Sequence, residues 1–364
     1  MIMIKKIRNC FDKSPVNFGR QREIDITKGI AVIIMMFSHA LEILGWFFEP
    51  EVAVQSVWYI ADMVISGSAP VFVLCMGIGL SYTSKKSAKD IFRRALNIAG
   101  LAVLLEIART AIPGFLEWLI FKDPECIEYV YLMFTVDILQ FAALAMLVIA
   151  LFKKLNLKPW TMVIISVVCS IAGQLLQGVS TGSNIGDIAA GFFWCTYDYS
   201  YFPLLNWLIF PVCGYAFGGL WLRLKDKDTF FSILTPVSAV VTVLYFISMF
   251  LVGELYYFSG GLYRGLGIID AVFMLFVCFA MVGMAYYISK LRVRAVNWLE
   301  SMGKRVTSIY FAHWTIYCFL YLVLVCVLED YISPWTIFPT AVLVLIASDL
   351  SSRLYIKTKR NVKK

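Results

Sequence analysis

The chain of 364 residues is 60% hydrophobic and only 15% charged, whereas soluble domains hold about 45–50% apolar residues. That excess excludes a water-soluble globular protein of this size. The net charge of +8 comes from basic residues scattered over short segments with no continuous stripe, which argues against a nucleic-acid partner.

The apolar residues gather in blocks of about twenty, the length a helix needs to cross a bilayer core of about 30 Å. Inside lipid such blocks satisfy their backbone internally, as helices. The alternating strands of a membrane barrel are absent. The predicted fold class is therefore all-α, a polytopic membrane helix bundle of about ten transmembrane helices.

In chain order, residues 1–25 read as a basic cytoplasmic arm, amphipathic over Met1–Lys13 and suited to the inner membrane surface. No cleavable signal peptide is expected, because the first apolar run is too long and ends at bulky Trp46, Phe47 and Phe48. Spans are predicted at Ile26–Phe48, Ser56–Tyr82, Ile91–Ile112, Tyr129–Phe152 and Pro159–Gly178. The second half adds Tyr201–Leu222, Phe230–Val252, Gly265–Ser289, Val306–Leu328 and Pro334–Ile356. Together they make residues 26–356 one transmembrane domain, followed by a basic tail over 357–364.

Charge sets the orientation. All but Arg109, Lys122 and Arg264 of the 32 basic residues lie in the arm, the tail and every second connection. The intervening connections are acidic, from Glu49 and Glu51 to Glu329 and Asp330. Lys and Arg in short loops stay in the cytoplasm, so both termini are placed there, N-in and C-in, in a multi-pass protein of the plasma membrane. The connections are too short to bury a core of their own. Gly114–Phe121 reads as an interfacial half-turn, and Gly253–Arg264 gathers Tyr256, Tyr257, Phe258 and Tyr263 as an interfacial girdle or a sugar-stacking surface.

The nine cysteines form no C-x-x-C pair and no zinc-like spacing, so no metal is expected. Cys75, Cys169, Cys213, Cys278, Cys318 and Cys326 fall in spans as packing residues. Cys126 and Cys195 fall in outer connections, where oxidation to a disulfide is open to them.

Ionisable groups at membrane depth are costly and are functional candidates. His39 and His313, the only histidines, both fall near the bilayer middle. Each is either a packing residue or a proton acceptor suited to neutral pH. Lys28 and His39 stand eleven residues apart, which puts them on one helical face about 16 Å apart along the axis. Asp25 and Glu42 flank the same stripe. A cation at the cytoplasmic edge below a mid-membrane histidine can hold a long anionic ligand and present its far end to a base. Other embedded polar residues are Asp62, Ser66 and Ser68, then Asn206 and Asp349. Glu106 and Arg109 are spaced for a structural ion pair. Asp137, near Gln140, has no partner within a turn of its own helix, so it lines a wet cavity or pairs across helices. No internal repeat suggests a transporter built by duplication.

The same residues resemble the membrane-embedded acyltransferases, the heparan-α-glucosaminide N-acetyltransferase-like family and the related acyltransferase 3 family. Arg22-Glu23-Ile24-Asp25-Ile26-Thr27-Lys28-Gly29-Ile30-Ala31, followed by His39, is similar to R-x-x-D-x-x-R-G-x-A with its later histidine. Lys28 in place of arginine keeps the charge and loses bidentate phosphate geometry. Ala69-Pro70-Val71-Phe72 to Gly77 and Gly79 resembles the second span, and Arg93-Arg94 the opening of the third. Asp137-Ile138-Leu139-Gln140 resembles G-I/V-L-Q, and Tyr201-Phe202-Pro203-Leu204-Leu205-Asn206-Trp207 to Gly214 and Gly218 resembles YFPL-x-PW with its glycines. Gly303-Lys304, Ser308-Ile309-Tyr310 and His313 resemble G-K-x-S-L-x-I-Y-x-x-H.

The resemblance implies transfer of an acyl group, usually acetyl, from cytoplasmic acyl-CoA to a hydroxyl or amine of a carbohydrate or cell-envelope glycan. It makes His39 the catalytic residue, as general base or transient acyl carrier. It assigns Arg22, Asp25, Lys28, Arg93 and Arg94 to the CoA, and Asp137, Gln140, His313, Tyr310 and Glu42 to the acceptor or thioester pocket. The expected partners are the lipid bilayer, acetyl-CoA and the glycan. Oligomeric state stays open, a homodimer included. The alternative function is a transporter or flippase for a lipid-linked glycan or small anion.

Overall fold

The computed structural model describes residues 2–48, 67–83, 87–122, 133–196, 200–328 and 332–362. Among these the chain is helical, and the only extended pairings are two isolated bridges, Phe11 with Leu224 and Val136 with Ser200. Among the described residues, seven helices are long and apolar enough to cross a membrane: Arg22–Leu44, Ala88–Phe121, Leu204–Trp221, Lys227–Val252, Ile268–Ser289, Val306–Val327 and Pro334–Asn361. Ser68–Tyr82 and Pro159–Leu175 are shorter apolar helices, and Ile138–Lys154 is a third of 17 residues. The protein is a helical membrane bundle. The start of the second predicted span, Asp62, Ser66, Cys126 and the acidic Glu49, Glu51, Asp123, Glu125, Glu128, Asp198, Glu329 and Asp330 lie outside the described residues.

The third predicted span needs correction. Its helix runs for 34 residues, about 50 Å, and includes the segment read as an interfacial half-turn. That reading rested on Trp118 and Phe121, residue types typical of a membrane edge. A π-helical turn at Ile107–Ala111 runs on into Ile112–Phe121 without a break, and Pro113 just after it removes one backbone donor from the ladder. The helix ends only at Lys122, in left-handed conformation at φ 56°.

The helices gather into two compact units. The first takes Met1–Ile24, Ala69–Ala102 and Phe134–Leu291. Its core is aromatic, with Trp207, Trp221, Tyr245, Phe210 and Phe231 fully buried. Helices Lys227–Val252 and Ile268–Ser289 pack side by side, and a polar latch holds the connection between them. The Tyr245 hydroxyl donates to Asp270 Oδ1 at 2.6 Å, Ser259 donates to the other carboxylate oxygen, and the Gly267 N–H donates to Ser259 Oγ at 2.8 Å. Tyr256 of the same connection is buried, and Tyr263 meets Trp207 edge-on, so these two tyrosines are packing residues.

The second unit takes Asp25–Ser68, Val103–Met133 and Arg292–Lys364. Two glycines set how closely its segments approach. A Cβ on Gly29 would stand 2.1 Å from the Leu299 carbonyl oxygen, and one on Gly303 would stand 1.7 Å from that of Asp25. Small residues at helix crossings let backbones touch, which matters in lipid because no hydrophobic force drives helices together there. A buried ion cluster closes the far side of the unit's helix pair. Arg305 bonds Asp349 Oδ1 at 2.5 Å, Arg353 takes Oδ2 at 2.9 Å, and the Trp298 indole N–H reaches the same oxygen at 3.3 Å.

Gly303→Ala is expected to destabilise the protein by about 1–3 kcal/mol through overpacking, read as a lower thermal midpoint in detergent. Gly100→Ala, where a Cβ meets nothing within 4 Å, serves as control and should leave the midpoint unchanged or slightly raised. Arg305→Met should leave Asp349 with Arg353 and Trp298 only, at a cost of about 1.5–3 kcal/mol, with Arg305→Met/Asp349→Leu recovering part of it.

Candidate functional site

His39 stands on the unbroken helix Arg22–Leu44, and its ring is anchored from its own helix. Glu42, one turn on, lies with Oε2 3.0 Å from His39 Nδ1. A carboxylate only accepts, so Nδ1 carries the hydrogen and Nε2 presents its lone pair, the arrangement that fixes an imidazole as a base. The His39 side chain is 17% exposed and that of Glu42 is 44% exposed.

Helix Val306–Val327 supplies the second imidazole. His313 is fully buried, with Nδ1 3.2 Å from the Ile309 carbonyl oxygen one turn back. A carbonyl also only accepts, so Nδ1 is again the donor. Its Nε2 has no hydrogen-bond partner among the described residues, although an unpaired buried acceptor costs about 1–3 kcal/mol. The two imidazole centroids are 5.2 Å apart. Trp314 closes on His39 at 4.1 Å with planes inclined by 45°, and its indole N–H donates to the Tyr310 hydroxyl at 2.8 Å. Tyr317 lies edge-on to His313 at 6.1 Å and donates its hydroxyl to the Met36 carbonyl at 2.7 Å. His39 therefore sits among imidazole, indole and phenol groups.

A third segment completes the cluster. The π-helical turn packs on helix Val306–Val327 and carries Arg109, whose guanidinium lies 4.8 Å over the Trp314 ring. Arg109 in turn makes two hydrogen bonds to Glu106, at 2.7 and 3.0 Å. The expected ion pair is present, and it reaches further than an ion pair alone.

The remaining predicted site residues are distributed as follows. Lys28 pairs with Asp25 at 2.7 Å in the second unit, below His39 on the same continuous helix. Arg22, Arg93, Arg94, Asp137 and Gln140 belong to the first unit. Arg22 donates to the Ser289 carbonyl at 2.6 Å, and Arg93 and Arg94 are exposed. Asp137 is not mid-helix as expected. It is the N-cap of Ile138–Lys154 and accepts from the Ile138 N–H at 2.7 Å, because the helix starts later than hydropathy alone suggested. Cys195 is buried.

Sequence reasoning missed Trp314, Tyr317 and the Arg109 contact. The spacing of Trp314 and Tyr317 around His313 looks like an ordinary aromatic stripe, and no sequence signal marks a π-turn. Among the described residues no cluster of His, Cys, Asp and Glu could hold a metal ion.

A family profile described as "Heparan-alpha-glucosaminide N-acetyltransferase, catalytic" matches residues 20–247. No curated protein and no solved structure matches the chain. The matched span holds His39, Glu42 and Arg109 and ends before His313 and Trp314.

The Tyr317 hydroxyl is expected to stabilise this cluster by about 1 kcal/mol net. Tyr317→Phe should lower the thermal midpoint in detergent and leave the helix content by circular dichroism unchanged.

Proposed function

The chain belongs to the heparan-α-glucosaminide N-acetyltransferase catalytic family, a family of membrane acetyltransferases, and from that premise we propose that it moves an acetyl group from cytoplasmic acetyl-CoA to a hydroxyl or amine of a carbohydrate at the far face of the plasma membrane. The observation that carries this reading is His39, with Nδ1 held by Glu42 and Nε2 left to act. The proposed orientation keeps both termini in the cytoplasm, on the side where the basic connections meet acetyl-CoA.

The step balances on one imidazole. The acceptor gives its proton to His39 Nε2 while its oxygen or nitrogen attacks the thioester carbonyl carbon. Glu42 stabilises the imidazolium that forms. The carbon–sulfur bond then breaks, and the departing thiolate takes the same proton back from Nε2, which returns His39 to its starting state. The buried lone pair of His313 Nε2 offers an acceptor for a donor group of either substrate, which would remove the cost of leaving it unpaired. Lys28 lies about 16 Å below His39, a length matched by an extended pantetheine arm. Lys28 favours the CoA phosphates by charge, and Asp25 orients it.

General-base catalysis contributes about 10²–10⁴-fold, so His39→Ala should lose at least about a hundredfold in turnover with its thermal midpoint kept. Near-normal turnover in that variant would refute the assigned role. His313→Gln should lose less, about tenfold, as expected for an acceptor outside the proton path. Acetyl-CoA should raise the thermal midpoint of the purified protein, and Lys28→Gln should shrink that rise. No response to CoA, together with proton-dependent uptake into vesicles, would instead identify a transporter.

A further inference from the structure

An imidazole works as a base only while its lone pair is aimed. Glu42 restrains His39 through one hydrogen bond, from a carboxylate that is itself largely exposed. That single tether leaves the ring able to swing about the bond to Nδ1. The His313 ring lies 5.2 Å away, and the indole of Trp314 closes nearer, at 4.1 Å, where it limits this freedom most.

Trp314 is in turn held at its edge by Tyr310 and over its ring by the Arg109 guanidinium. A cation over an indole is the strongest pairing of its kind and gains further where water is absent. Arg109 cannot drift, because two hydrogen bonds lock it to Glu106, which also accepts from the Thr110 hydroxyl at 3.2 Å. The π-turn that carries Arg109 contains no buried residue, so burial of its own apolar groups does not account for it. Such turns are uncommon and recur where a functional side chain must be re-aimed.

We infer that Trp314 and Arg109 are positioning residues, a braced indole platform that holds the His39 ring in one orientation for the transfer. The inference rests on His39 being the base. Trp314 acts through its contact with the His39 ring and Arg109 through Trp314. Their removal should therefore lower kcat and spare the KM for acetyl-CoA.

The test uses the full-length protein in detergent, with kcat and KM for acetyl-CoA, the thermal midpoint, and the magnetic resonance spectrum of protein labelled only at histidine. With two histidines in the chain, His313→Gln assigns the His39 signal. Trp314→Leu should lower kcat about ten- to a hundredfold, the range for misplacing a reacting group by about an ångström. Its KM should change less than about threefold, and Trp314→Phe, which restores a ring face, should recover most of the activity. In Trp314→Leu the His39 signal should lose its ring-current shift and broaden. Arg109→Met should move the same signal although Arg109 does not contact His39, and Arg109→Lys should move it less.

An unmoved His39 signal in folded Arg109→Met, or kcat within twofold of the parent in folded Trp314→Leu, overturns the inference. If both of those variants fail to fold, Trp314→Phe and Arg109→Lys decide it. Retained activity with a sharp His39 signal supports the platform, and a broadened signal with kcat unchanged overturns it. If the parent shows no acetyl transfer, the proposed reaction fails, and the resonance arm still tells whether the platform exists.

Discussion

The Tyr317 hydroxyl, donating to the Met36 carbonyl at 2.7 Å, pins the helix of His313 to the helix of His39. In lipid no water competes for such a bond and no hydrophobic force sets helix register. Register therefore depends on specific polar contacts of this kind and on how closely the backbones approach. Met36 lies one turn before His39 and Tyr317 one turn after His313, so this bond sits beside the paired imidazoles. At the other end of the His39 helix, Gly29 lies against the Leu299 backbone and Asp25 against Gly303. Between these fixed points the two histidines have little choice of separation.

The chemistry follows from how each imidazole is satisfied. Both have Nδ1 engaged by an acceptor, a carboxylate for His39 and a carbonyl for His313. The two partners differ in what they support. Glu42 stabilises an imidazolium, whereas the Ile309 carbonyl offers only a dipole inside a fully buried pocket, where charge is costly. In the proposed reaction that asymmetry favours His39 for proton transfer and His313 for hydrogen-bond acceptance. With Glu106 beside it, Arg109 is neutralised as a charge and retained as a rigid cation over an indole.

Much of this was legible in the sequence because lipid imposes simple rules. Length and apolar blocks gave the helical membrane bundle, and mid-span position singled out His39 and His313. The i to i+3 spacing of Glu106 and Arg109 gave their ion pair. Local chemistry that overrides hydropathy was not legible. Asp137 looked like a buried charge inside a span, yet it caps a helix that starts one residue later. Gly114–Phe121 looked like an interfacial half-turn, yet it continues the helix from Ala88 past the π-helical turn and Pro113. Trp314 could not be told from packing, because its role depends on a π-turn two hundred residues upstream in the chain, and such a turn has no sequence period.

The central claim, that a mid-membrane His39 receives the acceptor's proton beside the thioester, is tested most directly by a cryo-electron microscopy structure with a non-hydrolysable acetyl-CoA analogue bound. The account predicts that the pantetheine arm rises along the Lys28–His39 face and brings the acyl carbonyl within hydrogen-bond reach of His39 Nε2, roughly 3–4 Å. An analogue whose acyl end lies elsewhere, with the His39 and Trp314 rings still closed on each other and untouched, would contradict it.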